Sequence, residues 1–292
     1  MADTSSLIHR IAMDTVLPWI AVLVLLLGLL YFFAPVLAHF LLFHPERSPL
    51  DEPPVLVGVQ GQVVDGETED GVRLRHWWYD AGPGRPAAVV FHGNAGHLGH
   101  RAILAEGLLE HDVSVLLAGY RGYGGSDGRP SEEGLYRDGA AAAREASRLA
   151  EGGGVVLLGR SLGGAVAARV ASEIPVAGLI LDSTFTSLPD AARAVYPFLP
   201  RFLLGRLEGR FSTRERVEEL DLPLLVIHGR EDRLVPFEMG ETLYRTARQP
   251  VEWFPVDGAG HNDLLFVAGA EYFRVVADFV ERAAGEQTLR LH

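Results

Sequence analysis

The chain has no cysteine in its 292 residues. Disulfides, thiol nucleophiles and cysteine-ligated zinc are therefore excluded. Lysine is absent as well, so all 26 basic residues are arginine. That removes Schiff-base and serine–lysine chemistry. It also points to a GC-rich genome, and hence to a bacterium. Positive charge is scarce overall: 38 acids against 26 arginines leave a net charge of −12. Phosphate neutralisation dominates nucleic-acid affinity, so no nucleic-acid partner is expected. Internal repeats and low-complexity tracts are missing too.

Apolar length, by contrast, is plentiful. A chain of this size that is 48% hydrophobic can bury one large domain and still carry an extra segment. That segment is N-terminal. From Leu17 to Phe43, LPWIAVLVLLLGLLYFFAPVLAHFLLF contains no Asp, Glu or Arg. A bilayer core needs about 20 apolar residues. A secretory signal has an apolar region of about 7–15 residues behind a charged start. Here the start offers Arg10 against Asp3 and Asp14, and the run is longer than a signal requires, although Val36-Leu37-Ala38 would suit a cleavage site. The favoured reading is an uncleaved single-pass anchor within residues 1–48; a cleaved signal and a buried core helix are the alternatives. Pro35 is expected to kink or end the helix. The span would then be about Leu17–Ala34, with Val36–Phe43 along the interface. Arg10 before the span and Arg47 after it leave the side of the membrane open. For a bacterial chain the expected location is the inner membrane.

Beyond the linker PLDEPP, residues 49–292 read as one α/β domain. Strands are expected at 55–64 and 72–79, joined by an acidic turn. Further strands are expected at 87–93, 113–119, 154–159, 176–182, 223–229 and 251–256. Helices are expected at about 97–110, after Ser131-Glu132-Glu133, and at about 264–284. Continuous apolar strands alternating with helices imply a mostly parallel sheet covered on both faces. Ligands of such sheets bind beyond the carboxyl ends of the strands. Residues 184–222 break the alternation and read as a small helical lid.

Three strand ends carry the chemistry. Residues 159–164, GRSLGG, follow an apolar strand and open a small-residue helix, the setting of a nucleophile elbow at Ser161. A serine hydroxyl needs a base held by an acid. Asp232 in HGREDRLVP lies 71 residues on, and His261 in GAGHND a further 29. Serine, acid, histidine is this fold's chain order. Asp182, at the end of LILD, is a rival acid. An oxyanion needs two donors: the backbone N–H of Leu162 and, from the loop HGNAGH, that of Asn94. His97 and His100 could share a helix face, but no third ligand clusters with them in sequence. No metal and no cofactor is expected.

The stretches FHGNAGHLGHR, YRGYGGSDGRPSEEGLYRD, GRSLGG, DSTFTSLPD, HGREDRLVP and GAGHND span about 91–263. With them the chain resembles the α/β-hydrolase superfamily, and within it the Bem46-like membrane-anchored serine hydrolases. The resemblance implies the triad Ser161, Asp232 and His261 and an N-terminal membrane segment. It also implies cleavage of acyl esters or thioesters, lipid-like or acylated substrates included. A membrane-anchored peptidase and a catalytically silent binding module are the competing readings. Oligomeric state is left open.

The lid adds one expectation of its own. Between 193 and 216 it carries six arginines, at 193, 201, 206, 210, 214 and 216, against Glu208 and Glu215. Tyr196, Phe198, Leu199, Phe202, Leu203, Leu204, Leu207 and Phe211 are interleaved with them. That pattern suits a surface resting on lipid headgroups; a cap over the sheet with solvated arginines is the alternative.

Overall fold

A computed structural model describes residues 4–48, 50, 52–198, 200–207, 210–248 and 251–290. Eight strands form the central sheet: β1 Gln62–Glu67, β2 Arg73–Tyr79, β3 Ala87–Phe91, β4 Ser114–Leu117, β5 Val155–Arg160, β6 Gly178–Asp182, β7 Leu224–Gly229 and β8 Val251–Val256. Their order is β1-β2-β4-β3-β5-β6-β7-β8. The first two pairings, β1 with β2 and β2 with β4, are antiparallel, and all the others are parallel. The middle strands β3, β5, β6 and β7 are apolar and almost wholly buried, as a sheet covered on both faces requires.

Two apolar clusters flank the sheet. One gathers the small residues of α4 (Leu162–Ala171) with α3 (Glu132–Leu149), Phe43 and the lid residue Phe211. The other joins α2 (Ala102–Leu109) to Tyr272, Val276 and Phe279 of the C-terminal helix. The fold is the expected α/β sandwich. Its local departures have local causes. The strand expected at 55–64 is broken by a tight turn at Val57 and Gly58, both at positive φ, so Val55–Leu56 and Val59–Gln60 make a small hairpin. The sheet strand starts later and runs into the acidic stretch, to Glu67. The expected helix at 97–110 opens with a 3-10 turn, Leu98–Arg101, before α2. The expected C-terminal helix is split at Gly269, where φ is +55°, into Leu264–Ala268 and Ala270–Arg290.

The N-terminal helix α1 runs from Thr4 to Leu42, through both Pro18 and Pro35. Pro35 therefore neither ends the helix nor releases Val36–Leu42 from it. Within a long apolar helix the loss of one N–H at a proline is tolerated where neighbouring groups compensate. Thr15–Leu42 is long and apolar enough to cross a membrane.

The lid consists of α5 (Leu188–Val195), α6 (Arg201–Leu204), a short 3-10 turn and α7 (Thr213–Glu219). Its apolar residues divide. Leu203, Leu204, Leu207 and Phe211 are buried inward, while Tyr196, Phe198 and Phe202 stay exposed. Three of its six arginines have carboxylate partners. Arg210 donates from Nε to Glu132 at 3.0 Å, Arg214 pairs with Glu218, and Arg216 pairs with Glu219. The side chains of Arg201 and Arg206, with Leu199 and Glu208, lie outside the described residues. Glu132 also accepts from the Phe211 N–H and the Tyr136 hydroxyl. One carboxylate at the start of α3 thus fastens the lid to the sheet domain.

The glycine-rich loop after β4 is held by buried charge. Asp138, fully buried, accepts from the Arg121 backbone N–H and Nε, both at 2.8 Å. The other face of the guanidinium meets Asp70 in a two-pronged pair at 2.9 Å. Asp138→Ala should lower the unfolding free energy by about 2–4 kcal/mol, because two buried donors lose their acceptor. Urea titration of the purified protein checks this; a loss below about 1 kcal/mol would contradict it.

Candidate active site

The elbow at Ser161 depends on what is missing around it. Ser161 adopts φ 53° and ψ −118°, a conformation rare for a residue with a side chain. The turn holds because α4 lies against the strand ends. A Cβ on Gly163 would collide with the Phe91 carbonyl, and one on Gly159 with the Gly163 carbonyl. The Ser161 N–H donates to the Asp182 carbonyl at 2.9 Å. Its own carbonyl accepts from Gly164 N–H and from the Thr184 hydroxyl. The strained residue is therefore pinned on both sides.

His261 lies between the other two candidates. Its Nε2 is 3.2 Å from Ser161 Oγ, and its Nδ1 is 2.7 Å from Asp232 Oδ2. The three residues follow β5, β7 and β8, whose ends lie along the same edge of the sheet. Asp232 Oδ1 accepts from the N–H groups of Leu234 and Val235. Buried His228 lies 3.5 Å from Oδ2. Burial pushes the Asp232 carboxyl up, but the bonds from His228 and His261 outweigh it and hold the group well below the usual carboxylate range. An ionised Asp232 keeps the Nδ1 proton on His261 and leaves Nε2 to accept.

Asp182, the rival acid, is turned to other partners. It accepts from the Ser183 hydroxyl at 2.8 Å and the Tyr272 hydroxyl at 3.0 Å. Arg160 approaches it at 3.9 Å, and the same guanidinium donates to the His261 carbonyl at 2.6 Å. Sequence reasoning missed Arg160. It is the first of two variable residues in the G-x-S-x-G pattern, and only the fold brings it to His261, 101 positions along the chain.

Asn94 and Leu162 meet Ser161 in one cavity. Leu162 is the first residue of α4, where a backbone N–H has no partner within the helix. The Asn94 loop is held through its carbonyls. The Tyr123 hydroxyl donates to Asn94 O at 2.9 Å, and the Tyr120 hydroxyl to His92 O at 3.3 Å. His92 itself is buried, which pulls its imidazole down to about 3 and keeps it neutral, with Nδ1 bonded to the Gly93 carbonyl. The two tyrosines lie in YRGYGG, within one of the stretches that carry the family resemblance. The segment leaving α1 also joins in. His44–Pro45 runs parallel to Ala95–Gly96, and the His44 N–H donates to Asn94 O at 3.0 Å.

The same pairing supplies the third side chain that His97 and His100 lacked. Glu46 Oε2 is 3.8 Å from His97 Nε2 and 3.7 Å from His100 Nε2, and the two rings stack at 4.0 Å. Three atoms able to ligate a metal therefore lie within 4.8 Å of one another. The expectation of no third ligand is corrected: Glu46 is remote in sequence and arrives through the His44–Pro45 ladder.

Known proteins share this architecture. The family described as serine aminopeptidase S33 (Hydrolase_4) matches residues 82–211. An uncharacterized protein of Mycobacterium tuberculosis, Rv2307c, is 38% identical over 83% of this chain and 85% of its own. The α/β-hydrolase domain-containing protein WAV2 of Arabidopsis thaliana is 32% identical over 76% of this chain and 79% of its own. Protein bem46 of Schizosaccharomyces pombe is 29% identical over 94% and 95%. Among solved structures, the Pyrococcus furiosus esterase Pf2001 superposes with a TM-score of 0.70 at 23% identity, covering 82% of this chain and 98% of its own. Strand order, elbow and relatives converge: the chain belongs to the α/β-hydrolase superfamily and is Bem46-like within it.

Proposed function

We propose that this hydrolase is a serine hydrolase cleaving carboxylic esters or thioesters of acyl chains. One observation carries the reading: His261 bridges Ser161 Oγ and Asp232 across three separate strand ends. Ser161 Oγ attacks the acyl carbonyl carbon while His261 Nε2 takes its proton. The backbone N–H groups of Leu162 and Asn94 receive the oxyanion. His261 then protonates the leaving alcohol or thiol as the carbonyl re-forms, leaving an acyl-Ser161. Water, deprotonated by the same Nε2, clears it. Asp232 orients the imidazole and stabilises its protonated form. α1 anchors the domain to a bacterial inner membrane, and the exposed Tyr196, Phe198 and Phe202 support a lid resting against lipid. The similarity to the serine aminopeptidase S33 family makes peptide hydrolysis the reading to test against.

Ser161→Ala should lose on the order of 10⁴–10⁶ in kcat toward p-nitrophenyl esters while keeping its melting temperature. A fluorophosphonate probe should label the parent and not the variant. An alanine variant retaining more than a few per cent of the rate would sink the assignment, and faster turnover of aminoacyl p-nitroanilides than of esters would favour the peptidase. Failure of the parent itself to take up the probe would favour a silent binding module.

Asp232→Asn should lose on the order of 10⁴ in kcat, because the amide favours the wrong histidine tautomer. Asp182→Asn should keep most of the rate but lower stability by about 1–3 kcal/mol, since a buried acceptor of two hydroxyl bonds is replaced. Steady-state kinetics and thermal melts of both variants decide the ranking; the reverse order would make Asp182 the acid.

A further inference from the structure

The cavity that holds Ser161 has an unusual wall. Its volume is about 240 Å³, below the roughly 300–1,000 Å³ of drug-sized sites. Among the described residues no charged side chain lines it; Asn94, Ser161 and Tyr196 are its polar members. Part of the lining comes from the lid and from Phe185, Leu234 and Val235. The rest comes from α1: Leu30, Ala34, Leu37, Ala38, Leu41 and Leu42. Their spacing puts them on one stripe of the helix.

The length of α1 explains why that stripe exists. The apolar stretch Thr15–Leu42 holds 28 residues, about 42 Å at 1.5 Å per residue. A hydrocarbon core is about 30 Å thick. The surplus is about 12 Å, or about eight residues, roughly Pro35–Leu42. A helix serving only as a tether has no need to remain apolar beyond the core. Here the surplus turns are used: Leu37, Ala38, Leu41 and Leu42 face the cavity. Ala34 and Ala38, one turn apart, keep the wall thin where a chain needs room. The position of the helix is held at several points. Tyr31 meets Phe202 of the lid at 6.1 Å, and buried Phe43 meets Phe211 at 6.4 Å. The His44 N–H is bonded to Asn94, the candidate oxyanion residue.

We infer that the last three turns of the membrane helix are one wall of the substrate channel, and that its occupant is a single long acyl chain. The ester or thioester bearing that chain enters from the bilayer along α1, so that its methylenes pass from hydrocarbon to cavity without crossing water. This rests on the serine-hydrolase reading and names its substrate class; α1 is then part of the binding site as well as an anchor.

The experiment uses full-length protein in nanodiscs. Ala38→Trp fills the channel from the helix side. Val36→Trp places the same bulk on a position of α1 that does not line the cavity and is 51% exposed. The readout is the ratio of kcat/KM for p-nitrophenyl palmitate to that for p-nitrophenyl acetate. Ala38→Trp should lower the ratio at least tenfold, and Val36→Trp should leave it within about twofold. An unchanged ratio for Ala38→Trp, or equal changes in both variants, would overturn the inference. A second arm needs no turnover: Ser161→Ala is irradiated with a diazirine-bearing palmitoyl ester and the adducts are mapped by mass spectrometry. Adducts within 30–42 support the channel, and adducts confined to other segments refute it. If the parent protein hydrolyses neither ester while the adducts still fall in 30–42, the hydrolase reading fails and the acyl channel stands.

Discussion

Everything at the site depends on how closely the first turn of α4 approaches the ends of β3 and β5. The Phe91 carbonyl occupies the space where a side chain on Gly163 would stand, and the Gly163 carbonyl occupies that of Gly159. Without this approach, Ser161 would have no reason to hold a positive φ. With it, the serine hydroxyl is presented at the tip of the turn, and the N–H groups of a helix start lie beside it. The strain of one residue is stored by packing around glycines and by bonds to the Asp182 carbonyl and the Thr184 hydroxyl.

A second tier of contacts aims the other two side chains. Arg160 links Asp182 to the His261 carbonyl, so the loop after β8 is tied to the strand that presents the serine. Asp232 receives two backbone N–H bonds from its own turn, which leaves its other oxygen to His261. Tyr120 and Tyr123 hold the loop of Asn94 from outside. Side chains on the loop after β4 and backbone on the segment leaving α1 thus converge on one short loop. The apolar helix α1, the Asn94 loop and the lid are mechanically continuous, through His44, Phe43 and Phe211.

Three of the lid's six arginines have carboxylate partners. The arginine-rich lid reads as a cationic surface, yet Arg210 is bound to Glu132 and Arg214 and Arg216 are paired along α7. Counting charges along a segment cannot reveal partners supplied by another element, and Glu132 lies 78 positions away from Arg210. The division of the lid's apolar residues is likewise decided by packing. Leu203 and Phe211 turn inward, while Phe198 is 97% exposed.

The order of strands and helices, the turn at Ser161 and the placement of Asp232 and His261 beside it were legible in the sequence. Each rests on local pattern: apolar runs of strand length, glycines flanking a serine, and loops placed directly after strands. Element ends were less legible, because turns at Val57-Gly58 and Gly269 depend on single backbone conformations. Three matters were decided only by the tertiary structure. Asp182 acquired a hydroxyl partner in Tyr272, 90 positions distant. His97 and His100 acquired Glu46 through a two-residue ladder. The stretch of α1 from Leu30 to Leu42, apolar on every side but for His39, acquired a direction when the lid and strand ends closed against one side of it. The physical reason is common to all three: composition states what a residue can bond or bury, and only the folded chain supplies the neighbour that it meets.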